Sequence, residues 1–262
     1  MPYITVNGID LYYVDSGSSS NPLLFLHGWG TSGRVWDQQA AYFAGQNRVL
    51  QLDWRGCGRS DALHEGNTIQ QIASDINEVL EELDLYNVTI IGTSMGGSFA
   101  IEVAHKWPKR LSQVITVDSP YHVGRIADEL EINLMISSLL TNRVPTLIDM
   151  VASWYSGSGE EAYRTWAESQ VLESSPHIAN LYADHLRYDP RPYLPEITVP
   201  IALIHGAEDT DVPPAISAEI SEILGGAPLY IIENAGHFPH HTSAKRFNEV
   251  LKMILENQED HL

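Results

Sequence analysis

Val88-Thr89-Ile90-Ile91-Gly92-Thr93-Ser94-Met95-Gly96-Gly97-Ser98-Phe99-Ala100 joins an apolar, β-branched run to the start of a helical pattern, with a serine between two glycines at the junction. A strand that turns directly into a helix leaves no room for side chains on both flanks of the turn. Gly92 and Gly96 relieve that crowding, and Ser94 is left with its hydroxyl standing over the sheet edge. The helix starting there offers unpaired N–H groups and the positive end of its dipole to any negative charge that develops beside the serine. The spacing therefore predicts a strand, a nucleophilic turn and a helix in that order.

Outward from this stretch the chain keeps alternating. Tyr3–Val6 and Ile9–Val14 flank Asn7-Gly8, the residue pair that a tight hairpin turn requires. Leu23–Leu26, Val49–Leu52, Val114–Val117, Ile201–Ile204 and Leu229–Ile232 are short apolar runs bounded by turn residues. From Thr68 the period changes: Ile69, Ile72, Ala73, Ile76, Val79, Leu80 and Leu83 share a helical face, with Thr68 and Gln71 placed for a capping box. A helix over 95–107 is halted by Pro108, and Phe247, Val250, Leu251, Ile254 and Leu255 form one stripe of a last helix. Continuous apolar strands alternating with helices predict an α/β fold: a mostly parallel, doubly wound sheet covered on both faces. Between Pro120 and Pro195 strand signals vanish and apolar residues fall at helical spacings. The expected organisation is a core of residues 1–119 and 196–262 with a helical lid inserted over 120–195.

Bulk properties exclude several classes. The 262 residues are 44% apolar and 19% charged, enough for a sizeable core. A formal net charge of −19 disfavours nucleic acid and anionic membrane surfaces as partners. Acidic runs such as Glu78–Glu82 read as solvated helix faces. Cys57 is the only cysteine, which rules out an internal disulfide and a cysteine-based zinc site. No apolar run has the length of a membrane span and no secretory pattern is visible, so a reduced cytoplasmic setting is expected. Neither a dinucleotide fingerprint nor a P-loop lysine follows any strand, so no cofactor is expected.

In an open parallel sheet, ligands bind beyond the carboxyl ends of the strands. Polar or glycine-rich residues mark five such ends: His27-Gly28-Trp29-Gly30, Asp53 to Asp61, the Ser94 turn, His205-Gly206-Ala207-Glu208-Asp209, and Asn234-Ala235-Gly236-His237. Ser94 needs a neighbouring base to take its proton. His237 follows the last strand and is the candidate base; its plain alternative is a surface patch with His240 and His241. Pro239 and the lack of an accompanying carboxylate motif argue against a metal there. Asp209, Asp211 and Asp118 each end or follow a strand and compete for the role of the acid that orients the imidazole.

Taken together, HGWG at 27–30, DWRGCGRSD at 53–61, GTSMGG at 92–97, HGAEDTDVP at 205–213 and NAGHF at 234–238 resemble the α/β-hydrolase superfamily, in its serine-nucleophile branch, over nearly the whole chain. The resemblance implies a Ser94, Asp209, His237 triad, because the family pattern G-x-x-D after the strand selects Asp209 ahead of Asp118 and Asp211. It implies an oxyanion hole from the backbone amides of Trp29 and Met95. Arg55, Arg59 and Asp53 resemble a structural turn of the superfamily. The apolar residues of the insertion, Leu134, Met135, Leu139, Trp154, Tyr155 and Trp166, are candidates for the lid; Trp29, Leu134, Leu139 and Trp154 are expected to contact substrate. The implied activity is hydrolysis of small to medium, largely apolar carboxylic esters through an acyl-serine, with no metal and no cofactor. Carbon–carbon bond hydrolysis, lactone opening and acyl transfer to an alcohol or peroxide use the same triad. A ligand receptor with slow turnover is the alternative of another class. The chain departs from relatives with an HGGG run and from those with a Gly-Pro-Gly run after the first His-Gly.

Overall fold

The chain is described by a computed structural model covering residues 2–121, 129–157 and 160–259. Asn7 and Gly8 both take positive φ (47° and 77°), the geometry of a primed hairpin turn, and join β1 (Tyr3–Val6) antiparallel to β2 (Ile9–Ser16). The remaining strands are β3 (Pro22–Leu26), β4 (Arg48–Leu52), β5 (Val88–Thr93), β6 (Leu111–Val117), β7 (Ile201–Gly206) and β8 (Leu229–Ile232). They build one eight-stranded sheet in the order β1-β2-β4-β3-β5-β6-β7-β8, parallel from β4 to β8. The chain passes from β3 to β4 on one side and then to β5 on the other. The crevice between β3 and β5 is therefore the switch point at which a doubly wound sheet opens for a ligand.

Both faces of the parallel part are covered, so β3 and β5 are buried throughout and carry no polar alternation. Leu24, Leu26 and Ile90 point into one apolar cluster with α2 (Ile69–Glu82) and α3 (Met95–Lys106). Leu23, Phe25 and Ile91 point into the other, with α1 (Asp37–Phe43) and the terminal helix that ends the described residues (Ala244–Glu259). At the start of α2 the Thr68 hydroxyl accepts from the Gln71 amide (3.2 Å), but the reciprocal half of the expected capping box is absent. The Gln71 side chain donates instead to Asp75 (3.1 Å), and the Ile69 amide is satisfied by Asp184. Asp75 also forms a buried pair with Arg55 at 2.6 Å, which ties the turn after β4 to α2. Asp53 accepts from the amides of Gly33 and Arg59, so its carboxylate braces the turn after β4, and Cys57 is buried in the core beside it.

Between β6 and β7 the described residues form helices only: α4 (Glu129–Thr141), α5 (Arg143–Trp154), α6 (Glu161–Glu173) and α7 (Ala179–Leu186), with short 3₁₀ turns. Residues 122–128 and 158–159 of the expected insertion lie outside the described residues. After β7 come α8 (Pro214–Ile223), β8, the one-turn α9 (Pro239–Thr242) and α10, the Ala244–Glu259 helix. No described helix is long and apolar enough to cross a membrane.

Candidate active site

Ser94 caps α3 at φ 51° and ψ −127°, a backbone region that non-glycine residues avoid unless their surroundings hold them there. What holds it is visible in the flanks. A Cβ on Gly92 would stand 2.3 Å from the Gly96 carbonyl oxygen, and one on Gly96 would stand 2.5 Å from that of Leu26. The Ser94 amide donates to Val117 at the end of β6 (2.8 Å), so the turn is also hung on the neighbouring strand.

His237, in the loop between β8 and α9, brings Nε2 to 3.1 Å from Ser94 Oγ, while its Nδ1 lies 2.8 Å from Asp209 Oδ2. Asp209 follows β7, where a turn returns the amides of Asp211 and Val212 to its Oδ1 (both 2.9 Å). The three side chains come from the ends of three separate strands and meet at one rim. Burial by itself would lower the pKa of His237. The charge and hydrogen bond of Asp209, then the charge of Asp211, more than reverse this and raise it. Burial would likewise raise Asp209, but the His237 charge and hydrogen bonds from His205 and His237 hold its carboxyl ionised, well below the usual range.

The three competing carboxylates are thus separated by position. Asp118 does not reach His237. Its Oδ1 accepts from the Gly206 amide (2.8 Å) and lies 3.5 Å from His205 Nε2, and burial, with the charge of Asp209 adding, raises its pKa to about 8. Asp211 lies on the other side of the imidazole, 3.8 Å from Nε2. Among the described residues, Asp118, His205 and Asp209 bring ligand-type atoms within 4.8 Å of one another. Asp118 Oδ2 has no hydrogen-bond partner, but the imidazole nitrogen that faces the group cannot ligate. His205 Nε2 faces the Val212 carbonyl at 2.8 Å as well as both carboxylates, which makes it an N–H donor with no lone pair for a cation.

His27 and Thr31 have a part that no sequence signal marked beyond the His-Gly at the end of β3. His27 Nδ1 lies 2.8 Å from the Gly28 carbonyl oxygen, the Thr31 hydroxyl donates to the same oxygen (3.1 Å), and Nε2 accepts from the Trp54 amide (3.4 Å). Burial keeps this imidazole neutral, lowering its pKa to about 3. Because a peptide is planar and trans, gripping the Gly28 carbonyl turns the Trp29 N–H the opposite way. A Cβ on Gly28 would stand 3.2 Å from Ser94 Cβ, so this loop lies directly against the serine.

The helical segment reaches the same rim. Ser153 on α5 donates to Asp211 (2.9 Å), Trp154 packs edge-on to Phe238 at 5.9 Å, and the Tyr155 hydroxyl meets His241 Nδ1 at 2.7 Å. The Trp29 indole donates to Ile178 and packs edge-on to Tyr182 of α7, an aromatic that sequence spacing had not singled out. Leu139 and Trp154 share a buried cluster with Trp29 and Met95. Leu134 does not join it and is 58% exposed. On α4, Ile132 and Leu139 face inward, and Leu134 sits about 200° around the helix from Ile132. His240 and His241 are buried rather than a surface patch, and His240 stacks on Trp36.

Known proteins are similar to this chain over nearly its full length. A non-heme chloroperoxidase of Streptomyces lividans is 29% identical over 252 residues, covering 89% of this chain and 91% of its own. A protein named 3-oxoadipate enol-lactonase 2, from Acinetobacter baylyi, is 26% identical over 259 residues, covering 97% and 96%. The esterase EaEST of Exiguobacterium antarcticum superposes with a TM-score of 0.88 at 27% identity, over 97% of this chain and 98% of its own. The sequence pattern of the alpha/beta hydrolase fold matches residues 21–244, and the chain belongs to that family.

Proposed function

We propose that the protein is a serine hydrolase of carboxylic esters of small to medium, largely apolar substrates, working through an acyl-Ser94 intermediate. The observation that carries this is the continuous chain Ser94 Oγ, His237 and Asp209, with links of 3.1 and 2.8 Å. His237 Nε2 takes the Ser94 proton as Oγ attacks the ester carbon. The imidazolium, steadied by Asp209 at Nδ1, then gives that proton to the departing alcohol oxygen. Water enters, His237 deprotonates it, and its attack releases the acid and restores Ser94. The negative oxygen of each tetrahedral intermediate is assigned to the amides of Trp29 and Met95. Two features support that assignment: the grip of His27 and Thr31 on the Gly28 carbonyl, and the place of Met95 as first residue of α3, where no intrahelical acceptor exists. Residues 120–195 are read as a lid, with Trp29, Leu139 and Trp154 nearest the acyl group.

The same acyl-serine can be attacked by an alcohol or a peroxide, or formed by opening a lactone. The enol-lactonase and chloroperoxidase relatives keep these as second readings. The test is hydrolysis of activated aryl esters together with mass spectrometry after a fluorophosphonate probe. Ser94→Ala is expected to lose on the order of 10⁵–10⁶ in turnover and all labelling. Retained hydrolysis in that variant refutes the mechanism, and a protein that turns over once and stops is a receptor instead.

A further inference from the structure

Asp211 stands two residues beyond the triad acid but faces the other edge of the imidazole. Its Oδ2 is 3.8 Å from His237 Nε2, the nitrogen that serves Ser94, whereas Asp209 holds Nδ1. Its Oδ1 lies 2.9 Å from Ser153 Oγ of α5, whose single proton is shared with the Met150 carbonyl at 2.7 Å, so the carboxylate sits between the helical segment and the sheet. The side chain keeps 31% exposure, and among the described residues no Lys or Arg lies within ion-pair distance of it. A tyrosine lies near the position. Trp154 follows Ser153 in the chain, and Tyr182 is close enough that Asp211, added to burial, helps push its phenol up to about 12.

The proton on Nε2 goes to the leaving oxygen, so a group beside Nε2 lies beside the alcohol half of an ester. A carboxylate beside Nε2 that pairs with no Lys or Arg among the described residues, with Tyr182 nearby, is the surrounding that attracts an alkylammonium group and repels a second carboxylate. The net charge of −19 favours the approach of cations over anions. We propose that Asp211 makes the leaving-group side of this site selective for esters whose alcohol carries an ammonium group a few bonds from the ester oxygen, and against anionic ones. This selectivity rests on the ester-hydrolase reading above.

Three acetates of matched shape test it: acetylcholine, its neutral isostere 3,3-dimethylbutyl acetate, and anionic 3-acetoxypropionate. Wild type should favour the cation over the neutral ester in kcat/KM by about tenfold or more, and added salt should shrink the ratio. Asp211→Asn should bring the cation-to-neutral ratio close to one, and Asp211→Lys should invert the order toward the anion. A ratio that Asp211→Asn leaves unchanged, with the neutral ester still turned over, overturns the role of Asp211 and leaves the hydrolase reading intact. If wild type turns over none of the three, the hydrolase reading fails. Binding then decides separately, by calorimetry of phenyltrimethylammonium on Ser94→Ala. A loss of about tenfold in affinity on adding Asp211→Asn supports the carboxylate's role, and equal affinity refutes it.

Discussion

Asp118 and Asp209 are buried within reach of the same imidazole, His205, yet their surroundings sort them into opposite protonation states. Asp209 collects donors from His237, His205 and two turn amides and stays charged. Asp118 has a single backbone donor, its second oxygen has no partner, and burial raises its pKa to about 8, so it is mostly neutral at pH 7. An amide substitutes for the two very differently. Asp209→Asn presents a donor to Nδ1 or forces the wrong tautomer, and turnover should fall by about 10⁴. Asp118→Asn replaces a neutral group with one of the same shape, and turnover should stay within about tenfold. Steady-state kinetics on one activated ester compares them. An equal loss in both variants would mean that the acid role is shared. Sequence alone left three aspartates in contention and ranked them by family pattern; the 2.8 Å contact at Nδ1 discriminates because only folding determines which oxygen faces the ring.

Turns at strand ends set the accuracy of the site at the next scale up. Gly206 ends β7 directly beneath the loop that carries His237. A Cβ there would stand 2.2 Å from the Gly236 carbonyl oxygen and 2.5 Å from that of Ala235. Neither backbone atom can yield without moving the imidazole. Gly206→Ala should therefore lower turnover by about 10², the order expected for a misplacement near 1 Å, while circular dichroism stays native. Unchanged turnover would show that the loop has slack. The elements themselves were legible because strands buried on both faces read as unbroken apolar runs, and α2 and the terminal helix as clean stripes. The helical segment was legible only as helical. Its residues cover one another as well as the site, so spacing could not tell that Leu134 faces outward while Tyr182 packs on Trp29.

Across the whole molecule, burial of histidine sets the response to acid. His27, His185 and His241 are held neutral with pKa values lowered to about 3, about 4 and about 4, and His240 is lowered well below its ordinary value by burial and the charges of His241 and His237. Each takes up a proton in the unfolded chain near pH 6.5 but not in the folded one. Stability is therefore full above about pH 6.5 and is lost as pH falls toward 4, by up to about 1.4 kcal/mol per pH unit for each group. The raised pKa values of Asp118, Asp53, Glu160 and Asp184 act the other way and flatten part of the fall. His205 and His237, also raised, are protonated in both states below it. Urea midpoints should fall steadily from pH 6.5 to 4.5, and His240→Leu should reduce the slope. A flat profile would contradict the burial of these rings as neutral species.

Local chemistry and periodicity determined the alternation of strands and helices, the strained serine turn between two glycines and the residue types waiting at five strand ends, because each depends on neighbours in the chain. Which of those ends meet, which nitrogen of His237 each aspartate faces, and which helical residues reach Trp29 were decided by the sheet order and by how α4 to α7 pack over it. Ser94 and His237 are 143 positions apart, Trp29 and Ile178 149, and no local pattern carries the distance between them.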